Sequence, residues 1–460
     1  MSRVDSLIGR AAPTLWPAAR KMLGPLRYHA AVTLVGGAAL RADRLRSEWR
    51  LRTVRSSRPT DIGPLLRTSP RLKELISRHY LKGRYANLGG KVAWVTSGAP
   101  VEPLVALGFY LFYPENHGAM CGIRRTAEEL CGFAEQAGYC RDLCSYARTD
   151  LGAVLSGTSP VGPIARPDLL VCCTNICQTV LYWFRALAQH FGVPLAIVDT
   201  PFLYGEPQAH DLRFVAQQIE SMIGLAEQVA RRSLSPRRLE RVTRHAKQAC
   251  ELWLQVLEQG KHRPAPISAF DEFIHMAPIV EMRGEAATVD YYARLLAELS
   301  ERVAQGVGSI VRERKRLLWD NLPIWHRVRW LAELLAQRGV ALVASSYTNA
   351  WGELASLIDP AQPIESAARV YLSPILNRGV GYKLATLRRM VEAYGVDGVI
   401  LHSDRSCKPY SLGQLDERER LSSSLGVAAL LLEADHNDPR AFSEEQIATR
   451  LGAFLEMLGA

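Results

Sequence analysis

The chain has 460 residues, 48 % of them hydrophobic and 22 % charged, a balance typical of soluble globular proteins and a length that asks for more than one core. No apolar run reaches the ~18 residues of a membrane-spanning helix, and the best one, Ala30 to Leu40, lacks a signal-peptide cleavage pattern, so the expected location is cytoplasmic, with no membrane segment. Nine cysteines, an odd number scattered through the chain, argue against a disulfide framework and leave the thiols as core residues or ligands.

The formal charge of +10 is unevenly placed. Residues 1–90 hold 18 Lys/Arg against 5 Asp/Glu, a net of +13, which leaves −3 for the other 370 residues. Pro13, Pro17, Pro25, Pro59, Pro64 and Pro70 interrupt this segment, which predicts short helices with a loose start. It has no aromatic interleaving and no nucleic-acid motif, so its charge reads as a solvated surface packed on a partner or on the rest of the chain, and not as a nucleic-acid arm.

From Lys91 the pattern changes to short apolar runs alternating with helical stretches. KVAWVTSG (91–98), FYLFYP (109–114), DLLVCCT (168–174) and LAIVDTPF (195–202) read as strands, with helical spacing over 124–137 and 178–191. Such alternation predicts a parallel sheet covered on both faces, with ligands at the carboxyl ends of its strands. Residues 210–335 break the alternation with four expected helices (210–232, 236–259, 267–283 and 289–312), Asp211, Ser235 and Ser268 standing near their starts. Strands return at VALVASSY (340–347), VDGVILHS (396–403) and VAALLLEAD (427–435), before a last helix over 443–458. The predicted fold is α/β: two Rossmann-like parallel-sheet units with a helical insert between them and a short helical N-terminal segment. The expected divisions are 1–90, 91–209, 210–339 and 340–460.

Three cysteines stand apart from the rest. Cys177 follows the strand DLLVCCT and begins a helix, Cys407 occupies the corresponding loop after VDGVILHS, and Cys144 lies in DLCSYARTDLG beyond the helix 124–137. Three thiolates on three loops at a domain junction can enclose one [4Fe-4S] cluster and leave one iron open. Spacing alone weighs buried, inert cysteines equally, and Cys172, Cys173, Cys131 and Cys250 read as core. Asn175, Arg405, Ser406 and Lys408 offer hydrogen bonds and positive charge around the first two candidates. Cys140-x3-Cys144 and Cys173-x3-Cys177 match neither a zinc ribbon nor a thioredoxin-type site, and no third cysteine completes a radical-SAM pattern.

Other strand ends carry candidates for proton transfer or substrate contact. Glu115, Asn116 and His117 follow the second strand, with Glu115 or His117 as an acid–base group and Asn116 as a substrate-lining one. His402 and Ser403, Tyr347 with Asn349 and Trp351, and Ser145 stand at further loop starts. Each has a structural alternative, a hydrogen-bonding or packing role. Asp435, Asp438 and Arg440 read as a helix cap with salt bridges. No Gly-x4-Gly-Lys-Ser/Thr loop is present and no Gly-x-Gly-x-x-Gly follows a strand.

PLVALGFYLFYPENHGAMCG, DLCSYARTDLG, VCCTNICQTVLYWF with VPLAIVDTPF, and HSDRSCKPYSLGQ followed by LLLEADHNDPR and TRLGAFLEML resemble, in that order, the 2-hydroxyacyl-CoA dehydratase and benzoyl-CoA reductase family over about residues 90–458. The resemblance implies that Cys144, Cys177 and Cys407 each match a ligand position of a [4Fe-4S] cluster with one open iron. It implies a homologous second subunit in a heterodimer, an acyl-CoA substrate between the subunits and a separate iron–sulfur ATPase activator that injects an electron. The implied chemistry is oxygen-sensitive: elimination of water from a 2-hydroxyacyl-CoA through a ketyl radical, or reduction of an aromatic ring. Two further readings stay open, a double-cubane-type reductase of small molecules without CoA and a non-catalytic scaffold subunit. The basic N-terminal segment has no counterpart in the family pattern, and Ala428 stands where relatives commonly have Pro.

Overall fold

The computed structural model describes residues 30–51, 53 and 61–460. One long helix runs over residues 30–51, where short ones were expected; Pro13, Pro17, Pro25 and Pro59 lie outside the described residues. The next helix, Ser69–Arg84, takes Pro70 into its first turn, where a missing N–H removes no helical bond. Buried Glu74 joins the two, with Arg44, Arg71 and Arg78 at 2.7–2.8 Å. Part of the basic charge is thus neutralised inside the chain.

Eight strands form two parallel sheets. β1 (Val92–Val95), β2 (Tyr110–Phe112), β3 (Leu169–Cys173) and β4 (Leu195–Val198) lie in the order β2-β1-β3-β4. β5 (Lys315–Asp320), β6 (Val340–Ser345), β7 (Gly398–Asp404) and β8 (Ala428–Ala434) repeat that arrangement as β6-β5-β7-β8. In both, the chain reverses direction across the sheet after its second strand, which puts a switch point between β1 and β3 and between β5 and β7. Crevices form at such points.

Side chains alternate across each sheet into separate cores. Ala93, Val95, Leu169 and Val171 face a cluster built with the helical insert, whereas Val92, Trp94, Leu170 and Cys172 face the other way. That second cluster also receives Leu317, Trp319, Leu342 and Ile400 from the other sheet. One face of each sheet therefore packs into a shared core, and this brings the two sets of strand ends together.

The insert contains the helices Ala209–Ala230, Pro236–Glu258 and Ala286–Ala304. Ser268 caps Ala269–His275 reciprocally with Asp271, as its position predicts, while Asp211 caps the first insert helix from its third residue by accepting from the Gln208 N–H at 2.8 Å. Two departures from the expected pattern have local causes. The run 267–283 breaks at Met276 into Ala269–His275 and Ala277–Glu281, where Pro278 must sit in a first turn. β5 was not expected at all, because charged residues in RERKRLLWD obscure a short buried strand; its Arg316 is buried and donates to the carbonyls of Lys261 and His262. No helix among the described residues is long and apolar enough to cross a membrane.

Candidate active site

Cys144 is the residue before the helix Ser145–Ser156, Cys177 lies between β3 and the helix Thr179–Phe191, and Cys407 precedes Lys408–Ser411 after β7. All three thus stand at helix starts, where backbone N–H groups favour a thiolate. They are also the three cysteines of intermediate exposure; Cys140 is exposed and the other five are buried. Burial pushes the Cys177 thiol up to about 12, with the neighbouring Cys144 adding to the rise. Burial also raises Cys407, joined by Asp404, Cys144 and Cys177. Each of these two thiols therefore responds to the charge of Cys144, and a cation bound among them would remove the penalty on ionisation.

The three sulfurs are not all within 4.8 Å of one another; among the described residues the one group of three metal-capable side chains that close is Asp404, Asp435 and His436. The Asp404 group is saturated by its own contacts. His436 Nδ1 lies 2.7 Å from Asp404, its Nε2 lies 2.9 Å from the Ser145 hydroxyl, and Ser406 donates to Asp435 at 2.6 Å. His436 also reaches Cys144; burial opposes its charge, but Asp404 and Asp435 hold its pKa well above the usual value. Asp438 pairs with Arg440 and with Arg148 at 2.9 Å, the cap and salt bridge that its sequence pattern predicts.

The polar neighbours of the thiols brace their loops. Asn175 donates to the carbonyls of Gly98 and Tyr371 at 3.0 and 2.8 Å, and Lys408 donates to the Arg405 carbonyl at 2.7 Å. A side chain at residue 98 would collide with Asn175, since its Cβ would lie 2.3 Å from Oδ1. Glycine there lets the β1 loop approach the loop that carries Cys177.

Glu115 begins the helix Pro114–Ile123 behind β2 and is 8 % exposed. Its Oε1 accepts from the Ser97 N–H at 3.1 Å and the Ser97 hydroxyl at 3.3 Å, while Oε2 has no partner. Burial pushes its pKa up to about 7, against the Ser97 hydrogen bonds and with Asp150. Its charge adds a little to the raised pKa of Cys177 and of Tyr347. His117 is fully buried between Ser159, 2.9 Å from Nε2, and Asp150, 3.6 Å from Nδ1. Burial lowers its pKa, but Cys121 and Asp150 raise it to about 10 overall.

A cavity of about 740 Å³ has Asn116, Ser159 and Tyr347 on its wall, while Glu115, His117 and the three candidate cysteines are not among its lining residues. Phe273, Trp325 and Tyr347 form a triangle of rings 6.2–6.4 Å apart at one side, and Lys73, Arg84 and Arg124 line it elsewhere. Ser145 and His402 are fully buried off that wall; His402 Nδ1 contacts the Leu322 carbonyl at 2.6 Å and its ring lies against Trp319. Ser403 is partly buried within β7 and also off the wall. Trp351 packs under the Arg283 guanidinium and Asn349 donates to Glu353, so both have structural places. Ser97, Ser159, Glu281 and His436 were not singled out by sequence; only the Ser-Gly turn after β1 carried a signal for the first.

Two α/β units with the same strand order, joined by a helical insert and carrying a partly buried thiol after the third strand of each, define the architecture. The chain belongs to the 2-hydroxyglutaryl-CoA dehydratase, D-component family, whose model matches residues 96–458. It is 29 % identical over 403 residues to the (R)-phenyllactyl-CoA dehydratase alpha subunit of Clostridium sporogenes, covering 85 % of this chain and 97 % of that subunit. It is 30 % identical to the (R)-2-hydroxyisocaproyl-CoA dehydratase alpha subunit of Clostridioides difficile (84 % and 95 % covered) and 29 % identical to a benzoyl-CoA reductase subunit of Thauera aromatica (84 % and 93 %). All three relatives are named as subunits of larger enzymes.

Proposed function

We propose that this chain is the iron–sulfur subunit of a 2-hydroxyacyl-CoA dehydratase, with Cys144, Cys177 and Cys407 as the ligands of a [4Fe-4S] cluster. The observation that supports the reading is that these three, and no other cysteines, are of intermediate burial, each just ahead of a helix, with Cys177 and Cys407 after the third strands of the two sheets. When bound, such a cluster supplies a low-potential electron and an open iron acting as a Lewis acid. Dehydration removes the C2 hydroxyl and a C3 proton, giving an enoyl thioester and water with no net redox change. Glu115 is our candidate to take that proton, because its buried Oε2 has no partner and Ser97 fixes its other oxygen. Lys73, Arg84 and Arg124 suit the phosphates of a CoA thioester entering the cavity.

Partner and electron supply follow the same reading. Tyr182, Phe202, Tyr204 and Leu412 follow strand ends or the candidate ligands and stay 51–91 % exposed, a surface that a homologous second subunit would cover while keeping water from the cluster. The chain has no phosphate-binding loop, so ATP-driven electron injection falls to a separate activator. Anaerobic purification with iron and sulfide analysis and EPR tests the ligand set. Wild type is expected to hold about four irons per chain, and Cys144→Ala, Cys177→Ala and Cys407→Ala to lose most of that content. Three variants with full clusters would sink the assignment, and about eight irons would favour a double-cubane-type protein. Reduction of an aromatic thioester is separated from dehydration by its product.

A further inference from the structure

The cavity wall carries one acid that the proposed reaction does not use. Glu281 ends the helix Ala277–Glu281, is 5 % exposed and is the one carboxylate among the described residues lining the cavity. Its Oε1 accepts from the Tyr80 hydroxyl at 2.7 Å. The Asn116 side chain approaches the same carboxyl, and Oε2 has no hydrogen bond of normal geometry. Burial pushes its pKa up to about 7, against Tyr80 and Asn116. A buried polar oxygen left unpaired costs free energy until a ligand supplies its partner.

The rest of the argument is complementarity. Phe273, Trp325 and Tyr347 offer ring faces and edges to a flat apolar group. Glu281 with Asn116 presents acceptor and donor atoms together, which suits a hydroxyl, a group that both donates and accepts, better than an ammonium, which only donates. A second carboxylate on the ligand would meet Glu281 as a like charge. We propose that Glu281, held by Tyr80 and Asn116, is a specificity-determining residue that selects acyl thioesters whose acyl group bears a hydroxylated ring over those with the bare ring. The inference rests on the reading of the cavity as the acyl-thioester site.

Calorimetric binding to the purified full chain tests it, with the CoA thioesters of 3-phenylpropanoate and 3-(4-hydroxyphenyl)propanoate as probes. Neither has a 2-hydroxyl, so neither is turned over and no electron source is needed. Wild type is expected to bind the hydroxylated thioester at least about tenfold more tightly, the scale of a gained hydrogen bond to a charged group. Glu281→Leu should bring the ratio to about one while still binding the bare-ring thioester, and Glu281→Gln should keep part of the preference. A variant that merely misfolds loses both ligands, so the ratio reports recognition and not stability. A ratio near one in wild type, or one unchanged in Glu281→Leu, overturns the proposal alone. Failure of wild type to bind either thioester overturns the reading of the cavity, and the proposal with it.

Discussion

The two sheet units share a strand order and differ in what they place at equivalent strand ends. After the third strand each supplies a thiol, Cys177 behind β3 and Cys407 behind β7. After the second strand they diverge: β2 leads to Glu115, a carboxyl with a free oxygen, and β6 leads to Tyr347, a ring in an aromatic triangle. Behind the first strand the contrast repeats. Ser97 of the first unit donates to the Glu115 carboxyl, whereas Asn321 of the second donates to the His402 carbonyl and helps close its own core. Duplicated topology thus gives two of the proposed ligands equivalent positions, and on the proposed reading the asymmetry of the remaining residues divides chemistry from binding.

The largest effect should come from the first unit's acid. Glu115→Gln keeps an oxygen to accept from Ser97 but cannot take a proton, and turnover should fall by about 10²–10⁴ with iron content unchanged. The equivalent change in the second unit, Tyr347→Phe, removes only a hydroxyl from a cavity ring and should alter KM by less than about tenfold. Steady-state kinetics on the two variants measures the contrast directly. Equal losses of kcat would break the division between the units.

Their anchors to the helical insert differ in the same way, and stability should register it. Arg283 is fully buried, bonded to Glu102 at 2.9 Å and to the Tyr371 hydroxyl at 2.9 Å, with its guanidinium 3.8 Å from the Trp351 ring centroid. Replacing it with Leu strands the Glu102 carboxylate in the core and should cost about 3–5 kcal/mol in denaturant unfolding. Arg316 in β5 instead caps the carbonyls of Gly260, Lys261 and His262 at the end of an insert helix. Its buried countercharge, Glu313, lies 3.5 Å away with no hydrogen bond between the two and keeps the Ala265 N–H at 2.6 Å when Arg316 is removed, so Arg316→Leu should cost less, about 1–3 kcal/mol.

Seven of the eight strands were legible as short apolar runs bounded by turns, because burial on both faces removes polar residues from a parallel strand. β5 escaped since its buried Arg316 pairs with backbone that no local pattern reveals. The thiols were legible as candidates by strand-end placement and, for Cys144, by motif. The carboxyls were legible only in part. Glu115 stood out as PENHG after a strand, but Glu281 meets Tyr80 across 201 residues and His436 meets Ser145 across 291, contacts created by packing alone.

The smallest effect concerns a buried acid of the helical insert that bonds to the second unit. Glu272 is 1 % exposed and accepts from the Thr348 hydroxyl at 2.8 Å behind β6, and it lies outside the thiol site. Burial pushes its pKa up to about 8, with the Thr348 bond opposing and Asp271 reinforcing. An acid raised in this way is protonated in the folded chain over a range where the unfolded chain has already ionised it. Below about pH 4.5, the ordinary glutamate value, both states carry the proton and the group imposes no pH dependence; from there to about pH 8 the folded state binds more protons, and stability falls as pH rises. Glu272→Gln keeps an acceptor for Thr348 and cannot ionise, so melting curves from pH 5 to 8 should be flatter for this variant than for wild type, with the widest gap at the alkaline end. The same substitution should leave kcat unchanged, in contrast to Glu115→Gln, because burial raises both carboxyls and only Glu115 is the proposed proton acceptor. Parallel wild-type and variant melting curves would show that Glu272 is not held neutral by the fold.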